Sequence, residues 1–243
     1  MKLPFKPYEP EVEFTQTQRR LPHREQPGCT YFVTWRLGDS VPLEVLRQWR
    51  AEREVFLHAH PKPWDADTQR TYDQQFERRL ERWADEGHGS CWLARLECRE
   101  VVVKALQHFA GQRYDLDCFV VMPNHLHVLV RPYAGTAAEC DADIPVCTSA
   151  PGDSNVGGRS GRQECLLHPC SLAGILKSWK GFTAREINRM VGRRGPLWMD
   201  ESFDHAVRSV AQLQRFRDYI RENPTKARLQ EGTFAYWANA ETE

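Results

Sequence analysis

The hydrophobic positions of this chain keep two periods, and the shorter one marks the most informative stretch. In residues 121–131, V-M-P-N-H-L-H-V-L-V-R, a turn signal at Met122-Pro123-Asn124 leads into an apolar run of β type. Side chains on a strand repeat every two residues, so His125, His127 and Leu129 face one way while Leu126, Val128 and Val130 face the other. One face is free to bury itself in a core, and the other offers two nitrogen ligands. Residues 116–121 form a second apolar segment ahead of the turn. The two segments read as a hairpin with both histidines at the mouth of the second strand, a position open to substrate.

The longer period marks helices. Residues 43–58 and 68–86 read as polar, charged helices separated by Pro61 and Pro63, an arm inserted into the core. Residues 97–111 follow as an amphipathic helix with an apolar stripe of Val101, Val102, Ala105, Leu106 and Phe109, ended by Gly111. From Ser171 onward, Leu172, Ile175, Leu176, Trp179, Phe182, Ile187 and Met190 recur at three- and four-residue spacing, a face suited to packing on a sheet. The last helix opens on a capping-box pair, Ser209 and Gln212, and is expected to stop before Pro224, which disfavours helical geometry in the residue ahead of it. Leu213, Phe216 and Ile220 make its buried stripe; Gln212, Arg215, Tyr219 and Asn223 make a polar stripe beside it. Tyr219 stands at the border, held by packing yet able to present its hydroxyl.

Composition narrows the class without naming a function. The chain has 243 residues, enough for one large or two small domains. Lysine plus arginine equals aspartate plus glutamate at 33 each, so no global positive field advertises nucleic acid. Between Ser171 and Gly232, however, twelve basic residues stand against seven acidic ones, where a phosphate backbone would have to pass. No stretch approaches the ~20 apolar residues of a membrane helix, and no leader-like apolar region opens the chain, so a soluble, cytoplasmic protein without a membrane partner is expected. The eight cysteines, several inside apolar runs, read as reduced thiols. Cys140, Cys147, Cys165, His168 and Cys170 match no regular zinc framework. Residues 134–169 are rich in Gly, Ser, Ala and Asp, and read as a flexible loop.

The stretch around His125 and His127 resembles the His-hydrophobe-His motif of the HUH single-strand endonucleases, specifically the REP-associated tyrosine transposases. Three further segments match that family in order. Tyr31-Phe32-Val33-Thr34-Trp35-Arg36 looks like its first strand, and Gly195-Pro196-Leu197-Trp198 with Ser202-Phe203-Asp204-His205 is similar to the segment ahead of its final helix. The run Tyr219-Ile220-Arg221-Glu222-Asn223-Pro224-Thr225-Lys226-Ala227 looks like the helix that carries the family's nucleophilic tyrosine. The resemblance covers roughly residues 29–38 and 97–230.

The resemblance implies an α+β fold, a ferredoxin-like antiparallel sheet with packed helices. It implies a domain over residues 29–230, preceded by an extension (1–28), interrupted by a helical insertion (40–90) and the loop, and followed by a tail (231–243). It implies cleavage and rejoining of single-stranded DNA near hairpin repeats through a 5′-phosphotyrosine. Tyr219 would be the nucleophile; His125, His127 and Asn223 would hold a divalent ion, Mn or Mg. Lys177, Lys180, Arg215 and Arg36 are the expected DNA contacts, and one or two of Phe32, Trp179, Trp198 and Phe203 could stack bases. A phosphodiester repels nucleophiles and a phenol with pKa about 10 is protonated at neutral pH, which is why such chemistry joins a cation to a tyrosine. The alternatives are a non-cleaving hairpin-binding module of the same fold and a metal-dependent nuclease that hydrolyses with water and needs no tyrosine. His205 and Glu222 are the candidates for a general base.

Overall fold

In the computed structural model of the chain, the described residues are 5–9, 15–18, 22–134, 171–200 and 202–240. The loop expected over residues 134–169, with Cys140, Cys147, Cys165 and His168, lies outside them apart from Ala134, and so does Cys170. The strands are β1 (Thr15–Gln18), β2 (Pro22–Glu25), β3 (Tyr31–Arg36), β4 (Tyr114–Val121), β5 (His125–Pro132), β6 (Phe203–Ala206) and β7 (Ala235–Ala238). The helices are α1 (Leu43–Ala59), α2 (Ala66–Tyr72), α3 (Arg78–Asp85), α4 (Leu96–His108), α5 (Leu172–Met190) and α6 (Val210–Lys226), with a single π-helical stretch, Asp73–Glu77, joining α2 to α3.

The protein is α+β. Five strands form one antiparallel sheet in the order β6-β3-β5-β4-β7, while β1 and β2 pair separately. From β3 to β6, leaving the arm aside, strands and helices alternate as β-α-β-β-α-β. The expected hairpin is present: β4 pairs with β5 across the turn, where the Met122 N–H donates to the His125 carbonyl at 2.9 Å. The C-terminal segment, expected as a tail, instead returns as β7 and closes the β4 edge.

Strand alternation sends the β3 and β5 side chains to the two faces of the sheet, and the apolar ones to two cores. Tyr31, Val33, Trp35, Leu126, Val128 and Val130 join the larger core with residues of α4 and α5. Phe32, Leu129, Cys118 and Val120 face the other way, into a smaller core capped by Leu213 and Ile220 of α6. The sheet is therefore covered on both faces.

On α5 the buried residues are Leu172, Ile175, Leu176, Trp179, Thr183 and Ile187. Phe182 and Met190, expected on that face, are instead exposed. Thr183 takes the inward position after Trp179 and satisfies its hydroxyl by donating to the Trp179 carbonyl at 2.6 Å. The arm carries its own apolar cluster of Val41, Leu46, Trp49, Tyr72 and Phe76. It is pinned at its return: Gly89 has φ of +89°, and a Cβ there would meet the Asp39 carbonyl oxygen at 2.4 Å. The Ser90 N–H donates to Asp39 Oδ2 at 2.9 Å.

Candidate functional site

The first two residues of interest come from the start of β5. Register places His125 opposite Arg36 and His127 opposite Thr34 on β3, so both imidazoles share a face with Phe32, Thr34 and Arg36. That is the face α6 covers. The two rings lie edge to face with centroids 4.9 Å apart.

Their hydrogen bonds set their orientation. Asn124 Nδ2 donates to the His88 carbonyl at 3.0 Å, which fixes its amide so that Oδ1 meets His125 Nδ1 at 2.8 Å. An amide oxygen only accepts, so His125 carries its proton on Nδ1 and turns the Nε2 lone pair into the site. His127 Nδ1 meets the Thr34 hydroxyl at 2.7 Å, a partner able to take either role. His127 Nε2 is buried and makes no hydrogen bond.

The two histidines are 1% exposed, because α6 lies over them. This corrects the expectation that a pair at a strand mouth stands open: the strand end is open along the sheet but roofed by a helix. Burial pushes His125 down to about 3, and the Arg36 guanidinium adds to the effect. Burial lowers His127 well below its ordinary value, with His125 and Arg36 contributing. Both are neutral near pH 7, the form that ligates a metal.

Tyr219 reaches this pair from α6. Its ring lies edge-on to His127 with centroids 5.1 Å apart, and edge-on to Phe32 at 5.9 Å. Phe216, one turn earlier, stacks on Phe32 at 4.4 Å and anchors the helix at this point. Lys226 Nζ sits 6.0 Å from the Tyr219 ring centroid and 3.0 Å from Glu222. Asn223 follows Tyr219 by one turn and is 3% exposed, with a buried Oδ1 that makes no hydrogen bond.

Pro224 does not end α6, as its place in the sequence had suggested. The helix runs on to Lys226, and the Asn223 carbonyl accepts from Ala227 N at 3.0 Å. A proline in the last turn removes one backbone donor only, so Asn223 keeps helical direction.

The start of α6 is set by Ser209, whose hydroxyl accepts from Gln212 N at 3.1 Å. The Gln212 side chain accepts from Arg208 N at 2.8 Å, and its amide nitrogen then donates to His205 Nε2 at 2.8 Å. His205 is thus committed as an acceptor within the helix cap.

Two residues to which the sequence reading gave no structural role tie the helix to β4. Arg217 donates through Nε and Nη2 to the two carboxylate oxygens of Asp117 at 2.9 and 2.5 Å. Asp117 is the extra residue of a β-bulge in β4, which turns its carboxylate and the Cys118 side chain to the same side of the sheet. Only the bulge could have revealed this pair, and bulges leave no period in a sequence.

The expected DNA contacts divide. Arg215 and Lys177 are exposed. Lys180 instead donates to the carbonyls of Met199 at 2.7 Å and Asp200 at 3.1 Å, holding the loop beyond α5 against that helix. Lys177 and Lys180 both belong to α5, across the sheet from the histidines. Arg36 is 5% exposed and lies inside the site beside His125, not on a surface. Of the stacking candidates, Phe32, Trp179 and Trp198 are core residues and Phe203 is half-buried.

Among the described residues no group of three His, Cys, Asp or Glu side chains gathers to hold a metal. An ion at His125 and His127 would need the Asn223 amide as its third protein donor. The donor set fits a divalent ion: two neutral imidazoles, and a carbonyl-type oxygen that is buried without a hydrogen bond.

No protein-family model matches the chain, and no curated protein matches it. Among solved structures, a REP-associated tyrosine transposase bound to a REP hairpin aligns over 87% of this chain and 74% of its own, at 14% identity and a TM-score of 0.37. Similarity at that level carries no functional weight, and the reading rests on the residues above.

Proposed function

We propose that the chain is a metal-dependent, tyrosine-mediated endonuclease and strand transferase acting on single-stranded DNA beside hairpins. One observation carries this reading: Tyr219, from the last long helix, lies with its ring 5.1 Å from that of His127, beside a second imidazole. The sequence motifs that resemble the REP-associated tyrosine transposases fall on these same residues. The β-α-β-β-α-β order supports a ferredoxin-like sheet beneath them.

In this reading His125, His127 and Asn223 hold the divalent ion. When bound, it supplies positive charge to a non-bridging phosphate oxygen. The chain supplies the rest. Tyr219 Oη attacks phosphorus and loses its proton to solvent; an O–P bond forms, the P–O3′ bond breaks, and the 3′-oxygen leaves and takes up a proton. The 5′-phosphotyrosine conserves the bond energy, so a second 3′-hydroxyl reverses the step and joins a new strand. Arg36 places a fixed positive charge on the same face and favours a phosphate there.

A labelled hairpin oligonucleotide incubated with Mn²⁺ and resolved on a denaturing gel tests the proposal. A covalent adduct in the native chain and none with Tyr219→Phe is the expected result. The burial of both imidazoles under α6 favours a second reading, a hairpin-binding module that does not cut. Tight binding without an adduct would establish that reading instead.

A further inference from the structure

One polar chain at the site is used by no step above. Asn124 is itself fully buried and spans from the helical arm to His125. Its Nδ2 donates to the His88 carbonyl at 3.0 Å, and its Oδ1 faces His125 Nδ1 at 2.8 Å. Its backbone is fixed as well, since the Leu37 N–H donates to the Asn124 carbonyl at 2.8 Å and the Leu93 N–H to the Pro123 carbonyl at 3.0 Å.

His88 belongs to the return segment of the arm. That segment is held by the close approach of Gly89 to Asp39 and by the Ser90 hydrogen bond to Asp39 Oδ2. The Cys91 thiol also donates to the Gly87 carbonyl at 3.2 Å.

An Asn side chain can present either its oxygen or its nitrogen to an imidazole, and the two choices have opposite consequences. The oxygen places the imidazole proton on Nδ1 and leaves Nε2 as a ligand. The nitrogen would take up the Nδ1 lone pair and place the proton on Nε2, which blocks coordination. A carbonyl accepts only, so the His88 carbonyl forces the first choice.

We infer that Asn124 is a positioning residue: through the His88 carbonyl, the helical arm selects the His125 tautomer that can bind a metal. The inserted arm thereby acts on the site without lining it. Partners that orient ligating histidines affect metal affinity by about 10- to 100-fold when removed. This inference rests on the metal-binding reading of His125.

The test reads tautomer and metal binding separately. Long-range ¹H–¹⁵N spectra of the metal-free full chain report which His125 nitrogen carries the proton, and Mn²⁺ titration followed by electron paramagnetic resonance reports affinity. The native chain should show the Nδ1–H form. Asn124→Ala should lose it and bind Mn²⁺ about 10- to 100-fold more weakly. Asn124→Asp, which keeps an acceptor toward His125, should retain the Nδ1–H form. Gly89→Ala, which forces the segment away from Asp39, should reproduce the Asn124→Ala spectrum and provides a second variant should Asn124→Ala fold poorly.

An Nδ1–H tautomer that persists in both Asn124→Ala and Gly89→Ala would overturn the inference. So would native-like Mn²⁺ affinity in Asn124→Ala despite an altered tautomer. A native chain that shows the Nδ1–H form but binds no Mn²⁺ would instead sink the metal-binding reading, and with it the purpose assigned here to the tautomer.

Discussion

Removing one oxygen from Tyr219 separates its two roles. Its ring packs on Phe32 and His127, while its hydroxyl is the nucleophile of the proposed reaction. Tyr219→Phe should therefore leave the melting temperature nearly unchanged, a cost of at most about 1 kcal/mol, while covalent adduct falls to background. The histidines make a second prediction. Their folded-state values lie below the ordinary 6.5, so the unfolded chain binds more protons as pH falls through that value. The metal-free protein should be most stable above pH 6.5 and should lose stability progressively toward about pH 3. Each buried imidazole contributes up to about tenfold in the folding equilibrium constant per pH unit. Unfolding by denaturant between pH 7 and 4 checks this, and His125→Gln should flatten the dependence. An equal slope in that variant would show that the acid sensitivity lies elsewhere.

At the scale of elements, the tyrosine helix is held by one charged clamp and one aromatic stack. Arg217→Ala would leave the Asp117 carboxylate largely buried and without its bidentate partner. A loss of about 2 kcal/mol is expected in chemical denaturation. Adduct formation should fall more than hairpin binding, because the helix tilt sets where Tyr219 stands. Equal loss of both would show that the clamp serves stability alone.

The elements that alternate or repeat strongly were legible in the sequence. Tyr31–Arg36 and His125–Pro132 are apolar runs with few breaks, and α4 carries a clean stripe. The edge strands were not. Phe203–Ala206 and Ala235–Ala238 are four residues each, too short for a period, and they exist because β3 and β4 offer unpaired edges. The sequence named candidate residues that the fold brings together, and it misjudged their surroundings. His125 and His127 stood out by type and spacing and Tyr219 through the family resemblance, whereas the burial of Asn223 and Arg36 depends on how α6 and β3 meet. Polar residues on a covered face look the same in sequence as polar residues in water.

For the molecule as a whole, equal numbers of acidic and basic residues leave only local charge to attract the DNA proposed as its partner. Hairpin binding should still weaken about tenfold or more between 50 and 200 mM salt, through release of counterions by a few phosphate contacts. Fluorescence anisotropy at several salt concentrations checks this, and an affinity independent of salt would remove the phosphate backbone as a partner. No helix among the described residues is long and apolar enough to cross a membrane. The arm has its own apolar cluster, yet its return segment touches Asn124 beside the histidines, so the insertion and the sheet meet at the site.

In the proposed function, Tyr219 and a metal held by the two imidazoles occupy one site. Fluorotyrosine placed at position 219 reports on it directly, because the broadening of a ¹⁹F resonance by Mn²⁺ falls with the sixth power of the distance between them. Titration of Mn²⁺ should broaden the Tyr219 signal in the native chain and leave it sharp when His125 and His127 are both replaced by alanine. A signal that stays sharp while Mn²⁺ binds at the histidines would contradict the account.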